Sequence, residues 1–243
     1  MEPGSSVDVA SCVTSVVCPM MNESVRSREG RHDGAVEEWL FAAWTPAADL
    51  GLLSGHRIVG RTAWYWASLV RAGRDLLHIT DFDVPVRRDP FVVKGEALWA
   101  EHTCDAPFEQ WSIGNETYAA ALGDPEDALG RAYGTPTPIA FDLEWYATGE
   151  AVDLREGYTQ SGVLHGAVEI LGESAIELEE IPAARWHRWV GADPNDPRAM
   201  GPVEFPDAVA HTGLRAPFRF PDATVADLVL TADGWHSRSR TSS

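Results

Sequence analysis

The chain has 243 residues, 44% of them hydrophobic, with 19 Lys and Arg against 37 Asp and Glu, a formal net charge of −18. An excess of negative charge on that scale repels phosphate backbones and anionic lipid surfaces, so neither a nucleic acid nor a membrane surface is expected as partner. The length suits one large all-β domain or two small domains, with enough chain for a substantial core.

Three cysteines, Cys12, Cys18 and Cys104, are an odd number without a CxxC pair, which supports neither a disulfide framework nor a thiolate zinc site and points to a reducing, cytoplasmic setting. The apolar-leaning run at residues 7–21 has no basic flank and too many Ser and Asp for a signal peptide. No run reaches the length of a membrane span. Met20 and Met21 offer alternative starts, and on composition residues 1–35 read as a disordered extension, leaving 36–243 as a single β domain.

Order is expected from Val36. Residues 38–44, rich in aromatics between Gly34 and Pro46, read as a strand buried on both sides or a lid-like edge. Further strand-like runs follow at 62–71, 76–84, 91–102 and 108–121, separated by Gly73, Pro85, Asp89-Pro90 and Asp105-Ala106-Pro107. One short surface helix is predicted at 124–134, with Asp124 as N-cap, Pro125 at the first helical position and Gly134 past its end. Then come a strand at 138–147, a long alternating stretch at 157–191, a Pro- and Asp-rich loop at 192–206, and a closing hairpin from 208–220 and 224–238. Short strands at such spacing predict an antiparallel sandwich or barrel.

The chemistry-bearing residues are polar groups set inside these strands. In 138–147 Ile139, Phe141, Leu143 and Trp145 share one parity and Asp142 and Glu144 the other, which puts the two carboxylates on one face with Cα atoms roughly 6.5–7 Å apart. Two carboxyls that close can split their pKa values so that one serves as a general acid, whereas on a solvated sheet face they are ordinary surface charges. Glu116 repeats the pattern two residues before Tyr118. In the long stretch Tyr158 and Gln160 share a parity with Leu164, Val168 and Ile170, a polar pair at the end of an apolar row, as in a pocket wall. Arg185, His187 and Trp189 likewise share a face, and a cation, an imidazole and an indole are costly to bury without partners. His102, His165, His187, His211 and His236 stand singly without HxH or HExxH spacing, so no metal site is expected unless the fold assembles one. There is no GxSxG elbow, Rossmann fingerprint or P-loop, and Lys94 is the single lysine, so nucleophilic-serine and nucleotide chemistry have no support. The ten tryptophans, Trp64, Trp66, Trp99, Trp111 and Trp145 among them mid-strand, read singly as core and together as the lining of an aromatic interior.

The succession Leu98-Trp99-Ala100-Glu101, Glu109 to Glu116, Asp142-Leu143-Glu144-Trp145, Gly157 to Gly166, Arg185 to Gly191 and Asp233-Gly234-Trp235 resembles a group of actinobacterial proteins. These are distantly similar to the lipocalin-like superfamily that holds hydroxyneurosporene synthase, a carotenoid hydratase, and some polyketide cyclases. The relatives' late motif reads Arg-x-His-x-Trp-Gly; Arg185, His187 and Trp189 match it, while Val190 stands in place of the Gly, with Gly191 one position later. Many of those enzymes carry two lipocalin-like halves, and this chain has length for one. The resemblance implies an antiparallel lipocalin-like barrel and a hydrophobic polyene, terpenoid or polyketide-like ligand or substrate, with no cofactor and with a homodimer allowed. The activity it implies is that of a cofactor-independent lyase, isomerase or cyclase; the alternative is a non-catalytic lipocalin-like binding protein. Glu116, Asp142, Glu144 and His187 are the candidate catalytic residues. Trp111, Trp145, Tyr158, Gln160, His165, Arg185 and Trp189 are the candidate substrate-binding residues. A carboxyl or imidazole inside the pocket with a perturbed pKa and a partner would favour the enzyme over the carrier.

Overall fold

The alternation read from the sequence becomes fourteen antiparallel strands in a computed structural model that describes residues 28–32, 36–190, 205–206 and 213–238. Eleven belong to one sheet: β1 (Val36–Trp44), β2 (Leu50–Val59), β3 (Thr62–Arg71), β4 (Leu76–Pro85), β5 (Val92–Lys94), β6 (Leu98–Ala106), β7 (Gln110–Leu122), β8 (Thr135–Ala147), β9 (Val152–Leu154), β10 (Gly157–Ile170) and β11 (Ile176–Val190). The order β4-β3-β2-β1-β11-β10-β8-β7 closes into a ring because Leu76, Leu77 and His78 of β4 pair with Leu122, Ala121 and Ala120 of β7. Strands β6 and β5 extend the sheet from the other half of β7. The expected all-β class and barrel-like closure are therefore present, and no helix of the described residues is long and apolar enough to cross a membrane.

Closure sorts each strand into an inner and an outer face. Inner side chains, among them Trp39, Phe41, Tyr65, Trp111, Ile113, Leu143, Trp145 and Leu164, form one buried cluster. A second cluster lies outside β1 to β4, where Leu40, Ala42, Leu53, Trp66 and Val70 are covered by β12 (Leu214–Arg219), β13 (Val225–Thr231) and β14 (Gly234–Ser237). That cover explains why β1 is apolar on both parities, as its aromatic run suggested. The predicted closing hairpin is thus a three-stranded sheet; of its first arm, residues 208–212 lie outside the described residues. The outer face of β1 also carries a buried ion triad, in which Glu38 faces Arg57 of β2 and Arg188 of β11 in register and bonds each at 2.6 Å. Burial pushes the Glu38 carboxyl up, and the two guanidiniums outweigh it and hold the group below the usual carboxylate range.

Three local features differ from the sequence expectation. Residues 91–102 split at Gly95 into β5 and β6. The predicted helix is a 3-10 turn, Pro125–Leu129, capped as expected by the Asp124 side chain accepting from the Glu126 N–H. Strand β2, passed over in the sequence because Gly51, Ser54, Gly55 and His56 blur its alternation, is one of the most buried. Along β10, Gly162 permits the Trp145 ring to lie against the backbone, where a Cβ would collide with it. Gly166 adopts φ 122° at a register shift, and a Cβ there would meet the Asp142 carbonyl.

Candidate functional site

Register brings chemically active residues from distant parts of the chain into single rows inside the ring. Tyr65 of β3 pairs with His56 of β2, His56 with Trp39 of β1, Trp39 with His187 of β11, and His187 with Tyr158 of β10. The row is stacked as well as registered, since the Trp39 indole lies 4.7 Å from the His56 ring on one side and 4.7 Å from the His187 ring on the other. The next row places Phe41, Arg185 and Gln160 side by side. Tyr158 and Gln160 therefore share the inner face with Arg185 and His187, as their parities predicted.

At one end of the ring these residues meet a turn from before β1. Arg185 is 1% exposed, and its guanidinium donates to Glu29 from Nη2 (2.6 Å) and Nη1 (3.0 Å) and to Gln160 Oε1 at 2.7 Å. Glu29 also accepts from the Tyr158 hydroxyl at 2.6 Å and from the Phe108 backbone N–H at 2.7 Å. Gln160 donates to the carbonyls of Phe108 and Gly149. Aromatic faces enclose the cation, with the Arg185 Cζ 4.9 Å from the Trp145 ring centre and 5.4 Å from that of Trp111. The sequence boundary at Val36 is thereby corrected: residues 28–32 belong to the folded unit, because a buried guanidinium needs a carboxylate and Glu29 supplies it. Residues 1–27 and 33–35 of the proposed extension lie outside the described residues.

Beside this pair lies a second buried carboxylate. Glu37, on the inner parity of β1, accepts at Oε1 from His187 Nε2 (2.8 Å) and from His32 Nδ1 (2.7 Å), and at Oε2 from the His32 backbone N–H (2.8 Å). The other nitrogen of His187 faces the Tyr158 hydroxyl at 3.3 Å. Trp189 is half-buried on the same face as His187 and stacks on the His32 ring at 4.2 Å. The polar string thus runs Arg185, Glu29, Tyr158, His187, Glu37, His32, and among its side chains the His32 ring, 27% exposed, is the most open to solvent. Burial pulls the His187 pKa below its ordinary value, against the opposing pull of Glu37. Burial raises Tyr158 far above a normal phenol, so it stays protonated and acts as a donor. The sequence has no metal-ligand spacing, yet among the described residues the fold gathers His32, Glu37 and His187 with their ligating atoms within 4.8 Å of one another.

A second string crosses the middle of the ring. His56 Nδ1 meets His102 Nδ1 at 2.7 Å, His102 Nε2 meets the Ser54 hydroxyl at 2.8 Å, and Asn115 Nδ2 donates to the Tyr65 hydroxyl at 2.8 Å. Burial holds His102 at about 3 and His56 well below its ordinary value, so both are neutral. The indole nitrogens of Trp39, Trp111 and Trp145 and the Nε2 of His56 are buried without a hydrogen-bond partner. Trp111 and Trp145, the candidate substrate-binding tryptophans, thus face the interior and are fully buried, with no surface left for a substrate.

The predicted carboxylates are elsewhere. Glu116, Asp142 and Glu144 are exposed on the outer face, where Glu144 is paired in register with His165 and accepts from the Tyr146 hydroxyl at 2.7 Å. The correction has a plain cause: Ile139, Phe141, Leu143 and Trp145 fill the interior, so the intervening residues of β8 must point out. His165 follows the outer parity of β10 and sits against Tyr146, away from Arg185 and His187. Glu116 also borders an open groove of about 710 Å³ with Tyr118, Glu169 and Leu171. That groove is at the Ile170 end of β10, on the order of 40 Å along the strand from Tyr158. Cys104 is a half-buried thiol pushed up to about 12, chiefly by burial, which removes it as a nucleophile at neutral pH.

Four residues of the assembled site, Glu29, His32, Glu37 and His56, were not picked out in the sequence. Glu37 had a signal, because it shares the parity of Trp39 and Phe41. Glu29 had none, since its partner Arg185 is 156 positions away. No protein-family model, no curated protein and no solved structure matches the chain.

Proposed function

We propose that the protein is a small-molecule enzyme of the lyase, isomerase or cyclase type, acting on a hydrophobic polyene, terpenoid or polyketide-like substrate at the end of the ring where Tyr158, Gln160, Arg185 and His187 converge. The observation that carries this reading is the buried string of acid–base groups from Arg185 through Tyr158 and His187 to Glu37 and His32. A carrier needs apolar walls and one anchoring bond, whereas two buried carboxylates, two imidazoles, a phenol and a guanidinium in mutual contact suit proton transfer. His32, the solvent-facing member of the string, exchanges a proton with the substrate or with water, and Glu37, His187, Tyr158 and Arg185 behind it hold the charge that this leaves. A cation forming on the substrate is stabilised by the half-buried Trp189 ring. The substrate approaches on the side of His32 and Trp189, where the string is open to solvent. The ring behind them is filled by its own indoles: Trp39, Trp111 and Trp145 have almost no exposed surface, which argues for a site at the end rather than a long tunnel.

Titration with an environment-sensitive apolar dye, read by tryptophan quenching, tests the reading. Saturation near one site per chain is expected, weakened at least tenfold in Tyr158→Phe and His187→Asn and unchanged in Glu144→Gln. Absence of saturable binding in the folded wild type overturns it. Dye binding sensitive to these variants, with no turnover of any polyene, terpenoid or polyketide offered, selects the second reading, a non-catalytic binding protein.

A further inference from the structure

The His32, Glu37 and His187 group has a property that the acid–base reading leaves unused. With His187 as its Nε2–H tautomer the string is satisfied by hydrogen bonds except at one point, where Nδ1 faces the Tyr158 oxygen at 3.3 Å. The single Tyr158 proton lies on its 2.6 Å contact with Glu29 and its oxygen accepts from Arg185 Nη1 at 3.2 Å, so toward His187 Nδ1 it offers only a second acceptor position. His187 Nε2 meanwhile faces the Glu37 carboxylate at 2.8 Å, which also requires a donor. One neutral imidazole cannot donate from both nitrogens, so the Nδ1 contact with Tyr158 is left without a proton.

We infer that His32 Nδ1, Glu37 Oε1 and His187 Nε2 hold a divalent first-row transition-metal cation. A cation on Nε2 leaves the His187 proton on Nδ1, where it donates to Tyr158, which donates to Glu29, which is neutralised by Arg185. Both nitrogens of His187 are then used, the lone pair on Nε2 by the cation and the proton on Nδ1 by Tyr158. A ring nitrogen opposite the metal that is held by a hydrogen bond is the usual arrangement of a ligating histidine, and it fixes the tautomer. The donor set, two imidazoles and one carboxylate, is that of zinc and of the non-haem iron sites that keep open positions. The separations of 2.7 and 2.8 Å from Glu37 Oε1 to the two nitrogens are slightly below the roughly 2.9–3.3 Å between adjacent ligand atoms with bonds of about 2.0–2.2 Å, and all three atoms lie within 4.8 Å of one another, so the rings shift to seat the ion. The rings are held in place by stacking, His32 on Trp189 and His187 on Trp39. His32 is the candidate ligand on the solvent side, which is the side of the approach assigned to the substrate.

The inference uses the location given under the proposed function and goes beyond it: the cation would act as the Lewis acid, polarising a substrate oxygen or lowering the pKa of a bound water, in place of the ring proton.

The test uses the untagged full chain, stripped with a chelator and dialysed, then titrated with Co²⁺ followed by visible absorption and with Zn²⁺ by calorimetry. Saturation at one equivalent is expected, with the absorption of a nitrogen- and oxygen-ligated Co²⁺. His32→Ala, whose position is partly exposed and tolerant, should weaken Zn²⁺ at least 100-fold with the melt preserved, and Tyr158→Phe about 10-fold through the second bond of His187. Glu116→Gln/Asp142→Asn/Glu144→Gln, which strips the outer carboxylates, should leave it unchanged. No stoichiometric binding, or binding indifferent to His32→Ala and lost in the outer triple variant, overturns the inference. The dye titration separates the two proposals, since a failed cation titration with intact dye binding removes the metal alone, and the converse removes the apolar-substrate site alone.

Discussion

Replacing Glu29 by Gln tests the closed end of the barrel, because it keeps the shape of the side chain and removes only its charge. Arg185 would then be a guanidinium with 1% exposure and no carboxylate, left with Gln160, the Tyr158 oxygen and one amide oxygen. Removing one partner of a buried pair typically costs 3–5 kcal/mol, and since Gln retains part of the bonding, about 3 kcal/mol is expected. For a chain of this size that corresponds to a fall in melting temperature of roughly 6–12 °C. Urea unfolding at pH 7 measures the cost, and a cycle with Arg185→Met and the double variant isolates the coupling, expected to exceed about 2 kcal/mol. A cost below about 1 kcal/mol would refute the placement of residues 28–32 inside the folded unit.

Three further outcomes follow from burial and register. His78 lies under Phe218 and is held at about 4 by burial, with Nδ1 unpartnered. Its folded pKa is depressed, so its contribution is complete above the unfolded value near 6.5 and is lost as pH falls toward 4; between pH 7.5 and 5 the wild type should lose about 2 kcal/mol that His78→Leu retains, and equal slopes in urea melts would contradict this. Gly162→Ala forces a methyl into the Trp145 ring, and calorimetry should show a loss of about 1–3 kcal/mol; a neutral result would mean that the ring does not lie there. The outer carboxylates Glu116, Asp142 and Glu144 are solvated, so single amide variants should each stay within about 0.5 kcal/mol of the wild type in urea, and a larger loss in any of them would mean an unrecognised partner.

The sequence carried the strand parities and therefore one half of the site. Tyr158, Gln160, Arg185 and His187 were placed on common faces because alternation within a strand is local, and closure of the ring then only had to align β10 with β11. Alternation could not say which polar parity turns inward. In β8 four large apolar residues take the interior, and the simple rule that they do so puts Asp142 and Glu144 outside. In β1 the opposite holds, because the covering sheet β12–β14 buries the outer face as well, and Glu37 and Glu38 are each sealed on their own side by partners from β2, β11 and residue 32. Pairings of that kind depend on which strands become neighbours, which no local pattern encodes. Glu29 and His32 lie in a polar stretch without periodicity, and only the finished barrel end gives them a place.

The central claim is that an apolar ligand engages the end of the ring built from β1, β10 and β11. Hydrogen exchange read by mass spectrometry, with and without a saturating apolar probe, tests it most directly. Added protection is predicted in the peptides covering residues 28–41, 157–161 and 184–190, with none in those covering residues 112–118 or 140–146. Protection confined to the latter, around the outer groove and its carboxylates, would contradict the account.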